Sequence, residues 1–473
     1  MKRFAALLAC VLPVLFASSA AADVKLPRIF GDSMVLQQKT QAAVWGWADK
    51  GEEVTVSLAG ATASARAGDD GRWSVKIQTP QAGGPHELRV KGKNEVVLKD
   101  VLAGEVWICS GQSNMEWTVA ISLLPDVERE IARHPQIRMI KVQHNPAEKP
   151  ADDIQGAWNV CSPETVKDFS AVGYYFARHL HLELGVPVGM INTSWGGTIC
   201  EAWTSREKLA ADPDFSEILK RAEKFQPGNP NQAAVLYNGM VHPIVPFGIR
   251  GAIWYQGESN VGRSAQYRKL FPAMITDWRE RFGQGDFPFL FVQIAPFNYG
   301  GENVTLPELW DSQLKTLALA NTGMCVTTDI TDVKDIHPRN KQDVGRRLAL
   351  WALARTYGKS GLAHSGPLYS SMQVEGSKVR IKFQHAETGL VARGSREGKL
   401  NHFKIAGEDQ KFADALAVID GQTVVVSSEH VPHPVAVRFA WHGLAEPNFF
   451  NGAGLPASPF RTDDFPLATK DAK

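Results

Sequence analysis

Cysteine is scarce, with five in 473 residues, too few for a disulfide scaffold. None stands in a Cys-x-x-Cys spacing and no His/Cys cluster has metal-ligand spacing, so neither a structural metal nor a cofactor is expected. Charge of one sign is also missing. The formal net charge is +1, which gives no electrostatic case for nucleic acid or an anionic membrane as partner. The N-terminal apolar stretch is too short for a stable membrane span, and no later segment could cross a bilayer. Internal repeats and low-complexity blocks are absent. Tryptophan, by contrast, is generous, with 13 residues. Its flat faces serve cores and sugar rings alike.

The first 22 residues read as a secretory signal. Lys2 and Arg3 form a basic head, Phe4 to Phe16 is apolar, and Ala20-Ala21-Ala22 before Asp23 fits a small-residue cleavage site. Cys10 would leave with that signal. The expected mature protein is soluble and exported, to the periplasm or beyond, with Cys109, Cys161, Cys200 and Cys325 remaining and no pairing legible in their spacing.

From 23 to 102 the chain looks like a β domain. Ala42–Trp47, Val54–Leu58, Trp73–Ile77 and Glu87–Val90 alternate or run β-branched between turns such as Gly68-Asp69-Asp70-Gly71, a sandwich-like pattern. From 103 to 360 strand-like runs alternate with helix-length segments. The spacing predicts strands over Glu105–Cys109, Val186–Asn192, Arg250–Tyr255, Phe287–Ile294 and Cys325–Asp329. Helices are predicted over Ala171–Leu184, Gln266–Phe282, Pro307–Ala320 and Lys341–Tyr357. Such alternation argues an α/β domain whose parallel sheet is covered by helices and binds ligands at the strands' carboxyl ends. From 361 to 464 strands return, as in Lys378–Phe383, Ala415–Ile419 and Val435–Trp441. A polar tail, 465–473, closes the chain and is expected to be flexible.

Four polar segments fall at or near those carboxyl ends. Gly111-Gln112-Ser113-Asn114-Met115 follows the first core strand, where a glycine permits a sharp turn that presents the Ser113 hydroxyl. Met115 stands where a nucleophile elbow would have its second glycine, which counts against an α/β-hydrolase. Asn192–Thr198 contains Gly196-Gly197, which let backbone N–H groups approach a ligand. Trp254–Asn260 offers Gln256 as an amide donor and Glu258 as a carboxylate. Asp335-Ile336-His337-Pro338 puts a histidine at a loop-to-helix junction, where it could serve as a base. His242-Pro243 is a rival for that part.

Taken together, these segments resemble the sialate O-acetylesterase family of SGNH-type (GDSL-like) serine esterases. Leu26–Phe30 and Tyr237–Met240 extend the likeness through most of the chain. The resemblance implies a three-layer α/β/α, flavodoxin-like core flanked by β-sandwich-like segments. It implies Ser113 as nucleophile and His337 as base, with Asp335 the first candidate to orient it. Ser113 N–H, that of Gly196 or Gly197, and the Gln256 side chain would form the oxyanion hole. Asn114, Glu258 and Trp195 would support the site or touch substrate. No metal or cofactor is implied, and the partner would be an O-acetylated glycan, with sialic acid first, acetylated xylan or xyloglucan as the alternative, and a non-catalytic glycan-binding relative as a third reading.

The sequence departs from that pattern twice. The acid usually stands three residues before the histidine, where this chain has Lys334; Asp332, Glu258 or no acid at all are the alternatives to Asp335. Trp203–Leu236 is also too short to hold the β domain that many relatives insert. Trp117, Trp195 and Trp203 are candidate sugar-facing aromatics. Arg206, Arg263 and Arg339 are candidates to receive a sialate carboxylate.

Overall fold

The structure, a computed structural model, describes residues 23–300 and 304–472. The expected signal, with Cys10, lies outside the described residues.

One strand joins the N-terminal β region to the core. Strand β1 (Glu95–Gly111) is 17 residues long; its first third is partly exposed and the rest is buried. The exposed part pairs antiparallel with Gly83–Lys91, and the buried part becomes the middle of the core sheet. Residue 103 thus lies inside a continuous strand. Glu105 is the one charge in the buried stretch. Arg250 (2.7 Å), Gln38 (2.8 Å) and Tyr357 (2.9 Å) all donate to its carboxylate, as a buried charge requires.

The other core strands are β2 (Ile137–Lys141), β3 (Trp158–Val160), β4 (Val188–Asn192), β5 (Gly251–Tyr255), β6 (Phe289–Val292) and β7 (Thr322–Cys325). Their order is β7-β6-β5-β1-β4-β2-β3, parallel throughout except for β3. Without β2 and β3 the five remaining strands follow the flavodoxin-like order, whose direction reverses beside β1 and opens a crevice at the strand ends. Neither β2 nor β3 is apparent in the sequence, because Ile137-Arg138-Met139-Ile140-Lys141 is short and mixed in polarity.

Helices cover both faces. Helix α1 (Ser113–Glu116) is a single turn. Helices α2 (Ala171–Leu184) and α5 (Lys341–Trp351) pack together on one face, and α3 (Ser264–Phe282) and α4 (Thr305–Lys315) on the other. Strand alternation divides the aromatics accordingly. Trp107 meets Phe176 of α2 at 5.0 Å, while Trp254 meets Trp278 of α3 at 6.0 Å. The three-layer α/β/α expectation holds. The last predicted strand shifts from Cys325–Asp329 to Thr322–Cys325, because Arg347 of α5 draws the following residues out of the sheet. Its guanidinium donates to Val326 O and to the Asp329 carboxylate, each at 2.7 Å.

Smaller antiparallel sheets flank the core. Arg72–Gln78 alternates strictly between exposed and buried and pairs with Gln41–Trp47. The C-terminal region has five-stranded and four-stranded sheets around its own cluster of Phe403, Phe439, Phe449 and Phe460. It touches the core through Gln293 and Ser458 (3.0 Å) and through Glu308 and Thr469 (2.6 Å). Trp203–Leu236 folds into short helices, Arg206–Ala210 and Ser216–Arg221 among them, with no strand. The four cysteines that remain are buried and unpaired.

Candidate active site

The turn that carries Ser113 is clamped on both sides. Gly111 has φ +134°, which favours glycine. A Cβ there would lie 2.1 Å from Tyr255 O. Gln112 N–H donates to Tyr255 O at 2.9 Å, and Trp195 N–H donates to Gly111 O at 3.0 Å, so the ends of β5 and β4 hold the end of β1. Ser113 begins α1, and the first N–H groups of a helix have no partner within it.

His337 reaches Ser113 from the loop after β7, with Nε2 2.8 Å from Oγ. Its ring stacks on Trp117, centroids 4.7 Å apart and planes 18° apart. The Asp335 carboxylate lies 4.0 Å from His337 Nδ1 and accepts the His337 backbone N–H at 2.9 Å. Asp335 therefore shapes the base loop and faces the ring without a close hydrogen bond to it. Asp332 accepts the Lys334 N–H at 2.9 Å, and Glu258 is engaged with Asn114. The rival histidine, His242, has Nδ1 3.2 Å from Ala151 O.

Burial, seconded by the charge on Lys341, holds the imidazole of His337 below its ordinary pKa, with Asp335 opposing. A base acts in its neutral form, so a catalytic role for His337 predicts that activity falls as pH drops through this lowered value. The acid limb of kcat/KM on a simple acetyl ester is expected below about pH 6.5, the ordinary imidazole value. Asp335→Asn should move it lower still. A limb that moves upward in that variant would contradict this electrostatic reading.

Beneath the serine lies a buried polar frame. Asn114 donates to Glu258 Oε1 (2.6 Å) and to Ile336 O (3.0 Å), tying the Ser113 turn to the His337 loop. Lys341, fully buried on α5, donates to Asn114 Oδ1 at 2.5 Å and lies over the Tyr255 ring at 5.2 Å. Burial pulls its ammonium down to about 7, against the opposing charges of Glu258 and Asp335. Burial likewise raises the Glu258 carboxyl above its ordinary value. In sequence Lys341 resembles any surface residue of an amphipathic helix, and only its four-residue spacing from His337 hints at its place.

Gln256 requires a correction. It is fully buried, and its amide N–H groups donate to Thr198 O (3.1 Å) and Asn260 Oδ1 (2.6 Å). Its orientation is fixed, since Tyr267 donates to Oε1 and Cys200 N–H pins Asn260 Oδ1. The side chain braces the floor of the site, with both N–H groups given to protein acceptors.

The two glycines also separate. Gly196 abuts Ser113, since a Cβ on it would lie 3.3 Å from Ser113 Cβ, and its N–H donates to Glu116 Oε2 at 2.8 Å. Gly197 N–H has no protein partner among the described residues. Trp203 is fully buried and donates to Thr198 Oγ1 at 3.0 Å, so it cannot face a sugar. Trp117 and Trp195 are half-buried. Of the three arginines, Arg263 pairs with buried Glu201 at 2.6 Å and Arg206 is exposed on its own short helix. Arg339, also exposed, lies two residues beyond His337.

Fold and site together define an enzyme of the α/β/α esterase class. Residues 103–353 match the family described as carbohydrate esterase, sialic acid-specific acetylesterase. The sialate O-acetylesterase of Homo sapiens is 30% identical over 509 residues, covering 96% of this chain and 95% of its own length. That of Rattus norvegicus is 29% identical, covering 86% and 88%. A crystal structure of a carbohydrate acetylesterase from Xanthomonas citri superposes with a TM-score of 0.87 at 38% identity, covering 94% of this chain and all of that one. The chain belongs to the sialic acid-specific acetylesterase family of carbohydrate esterases, and its chemistry is the removal of O-acetyl groups from carbohydrates.

Proposed function

We propose that the protein is an exported serine esterase that deacetylates sugars through an acetyl-enzyme on Ser113. The observation that carries this reading is the 2.8 Å contact between His337 Nε2 and Ser113 Oγ at the carboxyl ends of a parallel sheet. His337 takes the Ser113 proton as Oγ attacks the acetyl carbonyl. The tetrahedral oxyanion is held by Ser113 N–H and by a glycine N–H. Gly197 supplies the latter while Glu116 keeps Gly196. Collapse breaks the ester bond, and His337 gives its proton to the departing sugar oxygen. Water, deprotonated by the same histidine, then releases acetate. Asp335 is the acid that faces the imidazole. Export rests on Lys2-Arg3, the apolar run to Phe16 and Ala20–Ala22.

O-acetylated sialic acid is the first substrate reading, supported by the relatives' names. Arg339, exposed two residues beyond His337, is the cation that this reading assigns to its carboxylate. A second reading is acetylated xylan or xyloglucan, since the Xanthomonas citri structure is that of a carbohydrate acetylesterase with no sialic acid in its name. Acetate release from the three substrates decides between them. The sialate reading expects O-acetylated sialic acid to lead and Arg339→Met to reduce that lead. A clear preference for either plant polymer would overturn it.

A further inference from the structure

A second cluster adjoins Ser113 on the side away from His337. Glu116, three residues after the serine, turns its carboxylate to three donors at once. Oε2 accepts the Gly196 N–H at 2.8 Å, while Oε1 lies 3.0 Å from His144 Nε2 and 3.3 Å from Lys141 Nζ. The His144 ring lies flat on Trp195, centroids 4.0 Å apart and planes 3° apart. Lys141 ends β2 and His144 follows it, so the strand pair added to the five-strand order supplies this wall.

The cluster differs from an ordinary surface ion pair, which is worth little. Glu116 is 23% exposed, His144 32% and Lys141 46%, so the groups are fixed yet open. A backbone N–H, an imidazole and an ammonium hold one carboxylate in place, and a flat aromatic slab backs it. Its carboxyl lies below its ordinary pKa. Burial works upward, but the His144 bond, the Gly196 N–H and the charge on Lys141 outweigh it. The carboxylate is therefore ionised and accepts only, while Lys141 donates only.

A sugar hydroxyl both donates and accepts. The acetyl ester sits over Ser113, between the His337 loop and this wall, so hydroxyls of the attached ring come within reach of the wall. We propose that Glu116, Lys141 and His144, backed by Trp195, form the subsite that binds hydroxyls of the sugar ring bearing the acetyl group. The inference rests on the reading of Ser113 as nucleophile.

The test compares an acetylated sugar with p-nitrophenyl acetate, which carries no sugar hydroxyl, using wild type, Glu116→Gln and Lys141→Met. The readout is the ratio of kcat/KM for the two esters, which cancels any general damage to the serine turn. The ratio should fall by about tenfold or more in Glu116→Gln, the usual worth of a hydrogen bond to a charged group. The fall should lie mainly in KM for the sugar ester. In Lys141→Met the ratio should fall in the same direction. An unchanged ratio in both variants, whatever the absolute rates, would overturn the subsite. Ser113→Ala separates the two readings: persistent hydrolysis in that variant would sink the serine mechanism, irrespective of the ratio in the other two.

Discussion

His337→Ala is expected to lose about three to four orders of magnitude in kcat/KM on any acetyl ester. The loss should fall on kcat. His337 is half-buried and stacked on Trp117, so its removal leaves Ser113 without a base while disturbing little packing. No other imidazole can stand in. His242 is tied to the Ala151 carbonyl, and His144 is held by Glu116 and Trp195. Steady-state kinetics alongside a thermal melt checks both halves of this expectation. A loss smaller than about tenfold would show that His337 is not the base.

Gly111→Ala should be strongly destabilising, through both a backbone clash and an unfavourable φ. The new Cβ would fall 2.1 Å from Tyr255 O, on backbone that the buried β5 strand cannot move. It would also impose φ +134° on an L-residue. Steric overlap and backbone strain together suggest about 3–5 kcal/mol of destabilisation. Gly197→Ala is the control. It too has positive φ, +74°, but nothing lies within 4 Å of its Cβ, so about 1–2 kcal/mol of backbone strain is all that is expected. Denaturant melts of the two variants should differ by at least about 1 kcal/mol in this order. Equal melts would mean that the turn relaxes where the packing says it cannot.

Gly111, Ser113 and His337, which the structure brings together, stand out in the sequence because each combines a chemically distinctive residue with a local conformational signal. Gly111 and Pro338 mark backbone geometry, and the apolar runs before Ser113 mark a strand. The groups that escaped notice are those whose meaning is tertiary. Lys341 looks like a surface lysine until β5 and α1 enclose it. Gln256 looks like an oxyanion donor until Asn260 and Thr198 take both its N–H groups. Glu116 directly follows the Gly111–Met115 motif, but its partners stand at the end of β2 (Lys141) and just beyond it (His144), and that strand is too short and too mixed in polarity to recognise. Trp203 shows the converse. Chemistry alone suggested a sugar platform, and burial assigns it to the core. The helices were the more legible elements, because Ala171–Leu184 keeps its apolar face over four turns. The strand after Asn321 slipped because Arg347, 18 residues on from Asp329, decides where it ends.

The most direct measurement is rapid acid quench of the enzyme with an acetylated sugar, followed by peptide mass analysis. Acetyl on the peptide carrying Ser113, appearing in the first turnover and absent in Ser113→Ala, is the predicted result. Acetate release at the wild-type rate with no acetyl on Ser113, or undiminished turnover by Ser113→Ala, would contradict the account.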